Sequence, residues 1–502
     1  MPTRSRPRQL PLLALSLLLL LLGISPRALA IAQPSDWAAI DAYVDAQRNG
    51  ARIPGLALGI VEGGQVVHLQ GFGAAGPSGQ AVTPQTPFLI GSLSKSFTAL
   101  AVMQLVEAGQ VNLDTPVQSY IPWFCVADET ASAQITVRHL LNHTSGIPNA
   151  AGLAPLLGDE QTSLEEQVRA LSTVRLARPV GSAFEYSNAN YIVLGLIVQT
   201  ASGQPYAEYI QEHIFAPLEM RHSYTSQDEA RQHGMAAGYR WWFGFPIAAD
   251  LPYPASAMPA GYLISSAEDM TRFLAAHLDE GSAVLSPAGL AEMRRSAVAT
   301  GGNESYGMGW IVSALGDTPV IFHEGSTPNF YATAIMAPEQ GRGVIVLTNC
   351  TSMFAGQAAR IARGVMAMRL GQPIPSASPP FAAFYALVDA AVVLLTAGLV
   401  LSVVLLPRWR QRLIERRPRA LGFLGRVFLP ISWDITWPLV LLVLVPQGAG
   451  FPLWRVMGYF QPDLTYWGIG IAVVALGKGV VRIALAVTAL RPQRSPQPVK
   501  GL

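Results

Sequence analysis

Lysine is scarce in this sequence of 502 residues. The 34 basic residues include only three lysines, Lys95, Lys478 and Lys500, which leaves 31 arginines. Arginine stays protonated inside proteins, whereas a buried lysine can lose its proton. A chain that otherwise uses arginine therefore points to Lys95 as a position where a deprotonated amine matters.

Cysteine and charged residues are also few. The two cysteines, Cys125 and Cys350, lie far apart in the chain and could form a disulfide or remain as two buried thiols. Charged residues make up 13% of the chain and the net charge is +2, so no basic excess suggests a nucleic-acid partner. Half of the residues are hydrophobic, which is too apolar for an ordinary soluble protein.

The first apolar run has the plan of a signal peptide. Three arginines precede residues 12–22, and the small-residue motif Ala28-Leu29-Ala30 follows them. We therefore expect a signal peptide at 1–30. The alternative is an uncleaved anchor, although the run is short for a membrane span. In either case we expect the residues after position 31 to lie outside the cytoplasm.

The C-terminal region carries three long apolar segments, at about 384–406, 427–445 and 466–490. Each is long enough to span a bilayer. Arginines crowd the loop after the first segment and basic residues close the chain, so the positive-inside rule places both in the cytoplasm. Three spans that begin outside also end inside. This predicts a multi-pass protein of the cell membrane, in contact with lipid, with its large domain on the extracytoplasmic side.

The chain therefore divides into four predicted regions. A signal peptide at 1–30 precedes an extracytoplasmic domain at 31–370. A linker rich in proline and serine follows at 371–383, and the membrane region occupies 384–502.

Two charged residues lie deep in the predicted spans. Asp434 and Lys478 are both ~18–20 Å from the outer end of their span, at a rise of ~1.5 Å per residue. A lone charge at that depth is costly, so we expect the two to form an ion pair. We expect the side chains of Arg426 and Arg482 to extend toward the inner membrane surface.

Lys95 follows Ser92 by three residues. The apolar run at 97–108 ends at Gly109 and is too long for a strand, so we expect a buried helix that begins near Ser92. Ser92 and Lys95 then lie one turn apart on the same face. An uncharged lysine could take the serine proton, and the N-terminus of the helix could stabilise an oxyanion.

Strand patterns at both ends of the domain predict one antiparallel sheet. Two β-rich runs flank Gly63-Gly64, which is a hairpin signal. Further strands are predicted at 306–312, 321–327, 333–337 and 343–347, and helices lie between the two groups.

Two further stretches hold polar side chains suited to a site. Tyr186 and Asn188 lie two residues apart before an apolar helix, so both could project to one side. A tyrosine relays a proton when cations lower its pKa, and an asparagine both donates and accepts hydrogen bonds. In the strand at 321–327, alternation places His323 and Gly325 on the same face.

A metal site is the alternative for one segment. His139 and His143 have the i, i+4 spacing of a zinc-binding helix, whereas Ile135 and Val137 predict a short strand. No glutamate stands in the matching place and no third ligand is evident in the sequence. We therefore expect no metal and no other cofactor.

Three motifs, Ser92-Leu93-Ser94-Lys95, Tyr186-Ser187-Asn188 and His323-Glu324-Gly325, occur in this order at wide spacing. Together they resemble the serine β-lactamase and penicillin-binding-protein superfamily. The likeness is greatest to the class C β-lactamase-like branch, which includes D,D-carboxypeptidases, D-aminopeptidases and esterases. It covers roughly residues 31–368. The resemblance implies an α/β sandwich, in which helices flank an antiparallel sheet, plus an all-helical region.

Carried over by position, the resemblance implies a role for each motif residue. Ser92 would be the acyl-forming nucleophile and Lys95 a base, while Tyr186 would share that role and pass the proton to the leaving group. Asn188 would orient the substrate amide. The backbone N–H groups of Ser92 and Ser326 would form the oxyanion hole.

His323 stands where many members of this superfamily have lysine. A lysine there is a permanent cation for a substrate carboxylate, whereas a histidine is cationic only part of the time near neutral pH. This difference favours a less charged peptide, amide or ester as the substrate. Gly325 on the same strand would let the substrate backbone come close.

These observations predict a membrane-anchored serine hydrolase that forms an acyl-enzyme with an extracytoplasmic peptide, amide or ester. Cell-wall peptides are the leading substrates. The alternative is a membrane-bound sensor that a ligand such as penicillin acylates without turnover. The sequence shows no cytoplasmic effector domain beyond the arginine-rich loop and tail, which favours the hydrolase. The oligomeric state stays open.

Overall fold

The computed structural model describes residues 37–158, 162–279, 284–351, 356–375, 381–416, 418–449 and 451–491. The predicted signal peptide at 1–30 lies outside the described residues, as does part of the predicted linker, 376–380. An α/β domain comes first in the described chain, and a group of long apolar helices follows it.

Most strands of the domain join one antiparallel sheet. The strands are β1 (Gly55–Glu62), β2 (Gln65–Gly73), β3 (Phe88–Leu89), β4 (Tyr239–Trp242), β5 (Phe245–Ala248), β6 (Ile264–Ser265), β7 (Val298–Gly301), β8 (Glu304–Tyr306), β9 (Ile311–Leu315), β10 (Thr318–Thr327), β11 (Phe330–Ala337) and β12 (Arg342–Thr348). Eight of these described strands form the sheet, in the order β2-β1-β12-β11-β10-β9-β8-β7. Because β1 pairs with β12, the two ends of the domain meet in one sheet, as predicted.

Helices pack on both faces of this sheet. In the domain they are α1 (Trp37–Gly50), α2 (Ser94–Glu107), α3 (Glu129–Ser132), α4 (Val137–Leu141), α5 (Asn149–Leu156), α6 (Leu164–Arg169), α7 (Asn188–Ser202), α8 (Tyr206–Ile210), α9 (Gln227–Gln232), α10 (Met258–Gly261), α11 (Ala267–Leu278), α12 (Pro287–Arg294) and α13 (Gln357–Leu370). Along β1, Leu56 and Leu58 join a core with α1 and α13, whereas Ala57 and Val61 face the larger core of the helical region. A strand buried on both faces explains why β1 is apolar almost throughout.

The helix α2 lies at the centre of the larger core. It follows a 3₁₀ turn at Gly91–Leu93, so its first turn comes slightly later than predicted. Its polar residues are buried and need partners. Ser94 Oγ donates to the Gly91 carbonyl over 2.8 Å and accepts from the Leu263 amide over 3.1 Å. These bonds tie the start of α2 to the residue before β6.

The short strand expected around Ile135 and Val137 is wrong, because Val137 begins α4. Thr136 caps this helix: its hydroxyl accepts from the His139 amide over 3.3 Å, and His139 Nδ1 accepts from the Thr136 amide over 3.2 Å. The reciprocal cap satisfies two backbone donors and stabilises a helix over apolar residues that also suit a strand.

The C-terminal helices include three that are long and apolar enough to cross a membrane, Ala383–Val404, Leu421–Ala449 and Pro462–Leu490. They agree with the predicted segments, and the second and third are longer than expected. The helices of this region are α14 (Phe381–Val404), α15 (Leu406–Glu415), α16 (Ala420–Phe423), α17 (Leu429–Leu439), α18 (Val445–Ala449), α19 (Leu453–Phe460) and α20 (Pro462–Leu490). Turns of π-helix join α16 to α17 and α17 to α18.

A buried polar cluster links the three spans. Lys478 Nζ lies 2.9 Å from Asp434 Oδ1, which confirms the predicted pair, and also donates to Ser402 Oγ over 2.7 Å. The expectation for Arg482 is wrong. Its Nη1 donates to Asp434 Oδ2 over 2.8 Å and to the Pro430 carbonyl over 3.0 Å. A carboxylate has two oxygens, and a second cation one helical turn after Lys478 reaches the free one.

Candidate active site

Ser92 and Lys95 lie together at the start of α2. Lys95 Nζ lies 3.0 Å from Ser92 Oγ, within hydrogen-bonding distance. Ser92 is partly exposed in the 3₁₀ turn, whereas the side chain of Lys95 is fully buried one turn later. The hydroxyl is therefore open to a substrate while the amine beside it is shielded from water.

The Lys95 amine is surrounded by neutral oxygen atoms. It donates to Asn188 Oδ1 over 2.7 Å and to the Ala260 carbonyl over 2.5 Å, which uses the two N–H groups of a neutral amine and leaves its lone pair for the Ser92 hydroxyl. Burial lowers the pKa of Lys95 well below its ordinary value, and no carboxylate is among its described partners to oppose that shift. The uncharged amine is therefore favoured, and this form can accept the Ser92 proton.

Tyr186 contacts the same hydroxyl from the other side. Its phenol donates to Ser92 Oγ over 3.0 Å, and its ring centre lies 5.0 Å from Lys95 Nζ. The expectation that cations lower the pKa of Tyr186 is wrong. Burial raises this pKa, and the hydrogen bond to Ser92 opposes the rise only in part. Because Lys95 is itself driven to its neutral form, Tyr186 remains a phenol that can donate a proton.

Asn188 is the first residue of α7 and is buried. Its side-chain oxygen accepts the hydrogen bond from Lys95 Nζ. The resemblance to β-lactamases implies that Asn188 orients a substrate amide, and this role stays a prediction. The described contact shows that the helix α7 contributes a group that fixes the position of the Lys95 amine.

His323 lies on β10 with its side chain almost fully buried. Its Nδ1 lies 2.7 Å from the Glu324 carbonyl, so this nitrogen is the donor, and Nε2 accepts from the Tyr306 hydroxyl over 3.1 Å. Burial is the main cause that lowers the pKa of His323, to about 3. The expected part-time cation is therefore a neutral imidazole throughout the physiological pH range.

Gly325 and Gly91 allow β10 to approach the 3₁₀ turn closely. A Cβ atom on Gly325 would lie 1.9 Å from the Ile90 carbonyl oxygen and 2.9 Å from the Ser92 amide nitrogen. Gly91 has φ of +54°, and a Cβ there would lie 2.5 Å from the Ser326 amide nitrogen. Gly325 thus makes room for the protein's own backbone, and the predicted approach of a substrate backbone to it stays a prediction. The same contact brings the amides of Ser92 and Ser326 together.

Glu324 faces away from this site, as strand alternation predicts. Tyr331 donates a hydrogen bond to its carboxylate, and Arg363 Nη2 of α13 lies 3.5 Å from Glu324 Oε1. These contacts tie the sheet to the helix behind it, and they explain the carboxylate between His323 and Gly325.

His143 and Tyr306 were not predicted as parts of the site. The ring of His143 lies 4.5 Å from Tyr186 and 4.9 Å from Tyr306, measured between centres. Its Nδ1 accepts from the Ser187 amide over 3.2 Å and lies 3.0 Å from Asn190 Nδ2. His143 is therefore engaged with the Tyr186 loop and not with His139. Sequence reasoning had no local signal for this role, because the residues that His143 contacts lie more than 40 positions away.

Comparison with known proteins identifies the family. A family model described as Beta-lactamase matches residues 40–365. This chain belongs to the beta-lactamase family. Its fold, an antiparallel sheet with flanking helices and a helical region, is the beta-lactamase and penicillin-binding-protein type that the resemblance implied.

Two curated relatives illustrate the similarity within the beta-lactamase family. Protein flp of Staphylococcus aureus strain MW2 is 29% identical over 317 residues, which cover 63% of this chain and 63% of that protein. Penicillin-binding protein 4 of Amycolatopsis lactamdurans is 33% identical over 341 residues, which cover 64% of this chain and 88% of that protein. The chain thus spans less than two thirds of the length of the flp protein.

Two solved structures have a fold similar to that of this chain. The octameric penicillin-binding protein homologue from Pyrococcus abyssi has a TM-score of 0.60 and 29% identity, over 67% of this chain and 78% of that chain. D-amino acid amidase from Ochrobactrum anthropi SV3 has a TM-score of 0.58 and 24% identity, over 66% of this chain and 98% of that chain. The second likeness concerns the fold alone.

Proposed function

We propose that this protein is a membrane-anchored serine hydrolase that forms an acyl-enzyme at Ser92. The observation that carries the proposal is the Lys95 amine, which is fully buried and lies 3.0 Å from Ser92 Oγ. Burial that favours the neutral amine supplies the base that a serine hydroxyl needs before it can attack a carbonyl. Membership of a family of serine hydrolases supports the same conclusion.

Acylation begins when Ser92 gives its proton to Lys95 and its oxygen bonds to the carbonyl carbon of the substrate. The amides of Ser92 and Ser326 hold the resulting oxyanion. Tyr186, within 3.0 Å of Ser92 Oγ, gives its phenol proton to the leaving group as the bond between that group and the carbonyl carbon breaks, and the proton that Lys95 took from Ser92 replaces it. Burial keeps Tyr186 protonated at neutral pH, so its phenol is able to be the donor in this step.

The electrostatics of the site favour a substrate that is uncharged. Both basic side chains described beside Ser92 have lowered pKa values, with His323 at about 3, so neither supplies a lasting cation for a substrate carboxylate. A neutral peptide, amide or ester therefore suits the site better than a substrate recognised by a negative charge. Cell-wall peptides are the leading biological source of such groups.

The membrane helices support an anchored enzyme. Three described helices can span a bilayer by length and composition, and the arginine-rich loop after the first favours a cytoplasmic position for that loop. This orientation places the hydrolase domain on the extracytoplasmic side. Such an enzyme would meet its substrate close to the membrane surface.

The acyl-enzyme can be detected by mass. Purified full-length protein is exposed separately to penicillin, to a D-Ala-D-Ala peptide and to a short-chain ester, and intact mass and product release are measured. We expect a covalent adduct or turnover with at least one compound, and neither in a Ser92→Ala variant. Ser119→Ala, at an exposed serine of a surface turn, is the matched control and should behave as the parent.

The lifetime of the adduct separates the hydrolase from the sensor. A hydrolase releases the acyl group and regenerates free enzyme with at least one of the compounds. An adduct that persists for hours with all three compounds would contradict turnover and favour the sensor. An adduct that survives Ser92→Ala would move the chemistry to another residue.

A further inference from the structure

The hairpin of β4 and β5 exposes large apolar side chains to solvent. Phe245 is 63% exposed, Ile247 is 48% exposed and Trp242 is 38% exposed. Phe245 and Ile247 are two residues apart on one strand and so lie on the same face. Within the described chain the hairpin forms a two-stranded sheet that is joined to the domain at Tyr239, and its exposed apolar face suits a partner outside the domain.

The turn of this hairpin uses an unusual residue. Phe243 and Gly244 both have positive φ, +48° and +75°, as in the mirror-image turns that favour asparagine followed by glycine. A phenylalanine in this conformation costs about 1–2 kcal/mol. The ring of Phe243 stacks on that of Trp242 with their centres 6.3 Å apart, so the turn holds two aromatic rings together at the tip.

The tip of the hairpin lies at the ends of two membrane helices. The amide of Phe243 donates to Asp463 Oδ2 over 2.8 Å, and the ring of Trp242 lies 6.3 Å from that of Tyr466. Asp463 and Tyr466 belong to the first turns of α20. On the other side, the ring of Trp241 lies 5.9 Å from Tyr385, near the start of α14. Because the hairpin contacts the starts of both α20 and α14, it lies at the depth where these two spans would enter the bilayer.

We propose that this hairpin inserts its aromatic tip into the headgroup region of the lipid bilayer. Tryptophan and phenylalanine with a polar backbone beside them suit this boundary, where tryptophan is enriched. Arg52 adds a cation at the same level: it donates to the Gly244 carbonyl over 2.9 Å and lies 5.4 Å from the centre of the Phe245 ring. The proposal rests on α14 and α20 crossing the membrane and is independent of the reaction at Ser92.

The hairpin would hold the hydrolase domain down on the membrane. Its first strand is fastened to the domain, because the Tyr239 amide donates to the Asn349 carbonyl over 2.8 Å and the Asn349 amide donates to the Gly55 carbonyl over 3.2 Å. These hydrogen bonds therefore connect the inserted tip to the main sheet at the start of β1. Insertion would limit the tilt of the domain relative to the three spans.

Spin labels can measure the depth of the tip. A nitroxide is attached at Phe245→Cys or Ile247→Cys in full-length protein carrying Cys125→Ser, reconstituted in vesicles of phosphatidylethanolamine and phosphatidylglycerol. Collision rates with oxygen, which favours lipid, and with a water-soluble nickel complex are then recorded. Unmodified Cys350 is buried, and a sample without an added cysteine measures any labelling there.

Val66→Cys is the matched control. Val66 is an apolar residue on β2 that is 40% exposed, and it pairs near the far end of β1, about 20 Å from Gly55 at ~3.3 Å per residue. We expect a higher ratio of oxygen to nickel collisions at 245 and 247 than at 66. Equal ratios at the three positions would overturn the proposal. Low collision rates with both reagents at 245 and 247 would also overturn it, because they would show a protein partner, such as a second copy of the chain, covering the face.

Discussion

Replacement of Gly325 by alanine tests whether the contact between β10 and the 3₁₀ turn sets the catalytic geometry. The added Cβ would lie 1.9 Å from the Ile90 carbonyl oxygen and 2.9 Å from the Ser92 amide nitrogen. Ordinary contacts begin at 3.4 Å, so the two backbone segments must separate by roughly 1.5 Å. Both segments are backbone, and no side chain can rotate away to relieve the overlap.

The separation acts on the groups that would hold the oxyanion. A misplacement of about 1 Å can cost about 10²-fold in rate, and loss of one oxyanion donor costs about 10²–10³-fold. We therefore expect Gly325→Ala to slow acylation of Ser92 by about 10²-fold or more. Overpacking of a close contact should also destabilise the domain by about 1–3 kcal/mol.

The assay is the second-order rate constant for labelling by a fluorophosphonate, measured beside the temperature of thermal inactivation. Gly50→Ala is the control, because Gly50 ends α1 and a Cβ there has no neighbouring atom within 4 Å. It should leave the labelling rate unchanged and alter stability by no more than about 0.5 kcal/mol. A Gly325→Ala variant that labels at the parental rate would refute the role assigned to this contact.

Three further predictions follow from the buried charges. Lys95→Met should slow labelling of Ser92 by about 10²–10⁴-fold, the usual contribution of a general base, in protein that still folds. The rate of acylation of the parent should fall as the pH falls through the lowered pKa of Lys95, because protonation removes the base. His323→Asn should leave this pH dependence of the acylation rate unchanged between pH 5 and 8, because His323 is already neutral there. In thermal unfolding in detergent, Asp434→Leu should lower the free energy of unfolding by about 3–5 kcal/mol. Lys478→Leu should lower it less, because that variant keeps the ion pair of Asp434 with Arg482. Equal losses of stability in the two variants would contradict a carboxylate shared by both cations.

The sheet and the Ser92 turn could be predicted because their signals are local. Alternation along β10 placed His323 and Glu324 on opposite faces, and apolar runs around Gly63-Gly64 marked a hairpin. A lysine three residues after Ser92, in a chain with almost no other lysine, marked the base. Each inference used residues close in sequence, where geometry follows from the period of a strand or helix.

The errors came from contacts between distant segments. His323 is neutral because it is buried, and its Nε2 contacts Tyr306, which the register of β8, β9 and β10 brings beside it. The packing of two spans determines that Arg482 pairs with Asp434, so the depth of Arg482 in its span did not predict where its side chain would lie. The contact of Gly325 with Ile90 could not be predicted for the same reason, because the backbone that approaches it belongs to a segment more than two hundred residues earlier.

The scarcity of lysine offers the most direct test of the central claim, that the Lys95 amine is uncharged beside Ser92. Full-length protein labelled with ¹³C at lysine Cε should give three signals, one for each lysine in the sequence, and Lys95→Met identifies one of them by its loss. We predict that the Lys95 signal titrates well below the ordinary lysine pKa of about 10.4, with the amine neutral at the pH where Ser92 is acylated. A Lys95 signal that titrates at the ordinary value would contradict the proposed base and, with it, the proposed acylation mechanism.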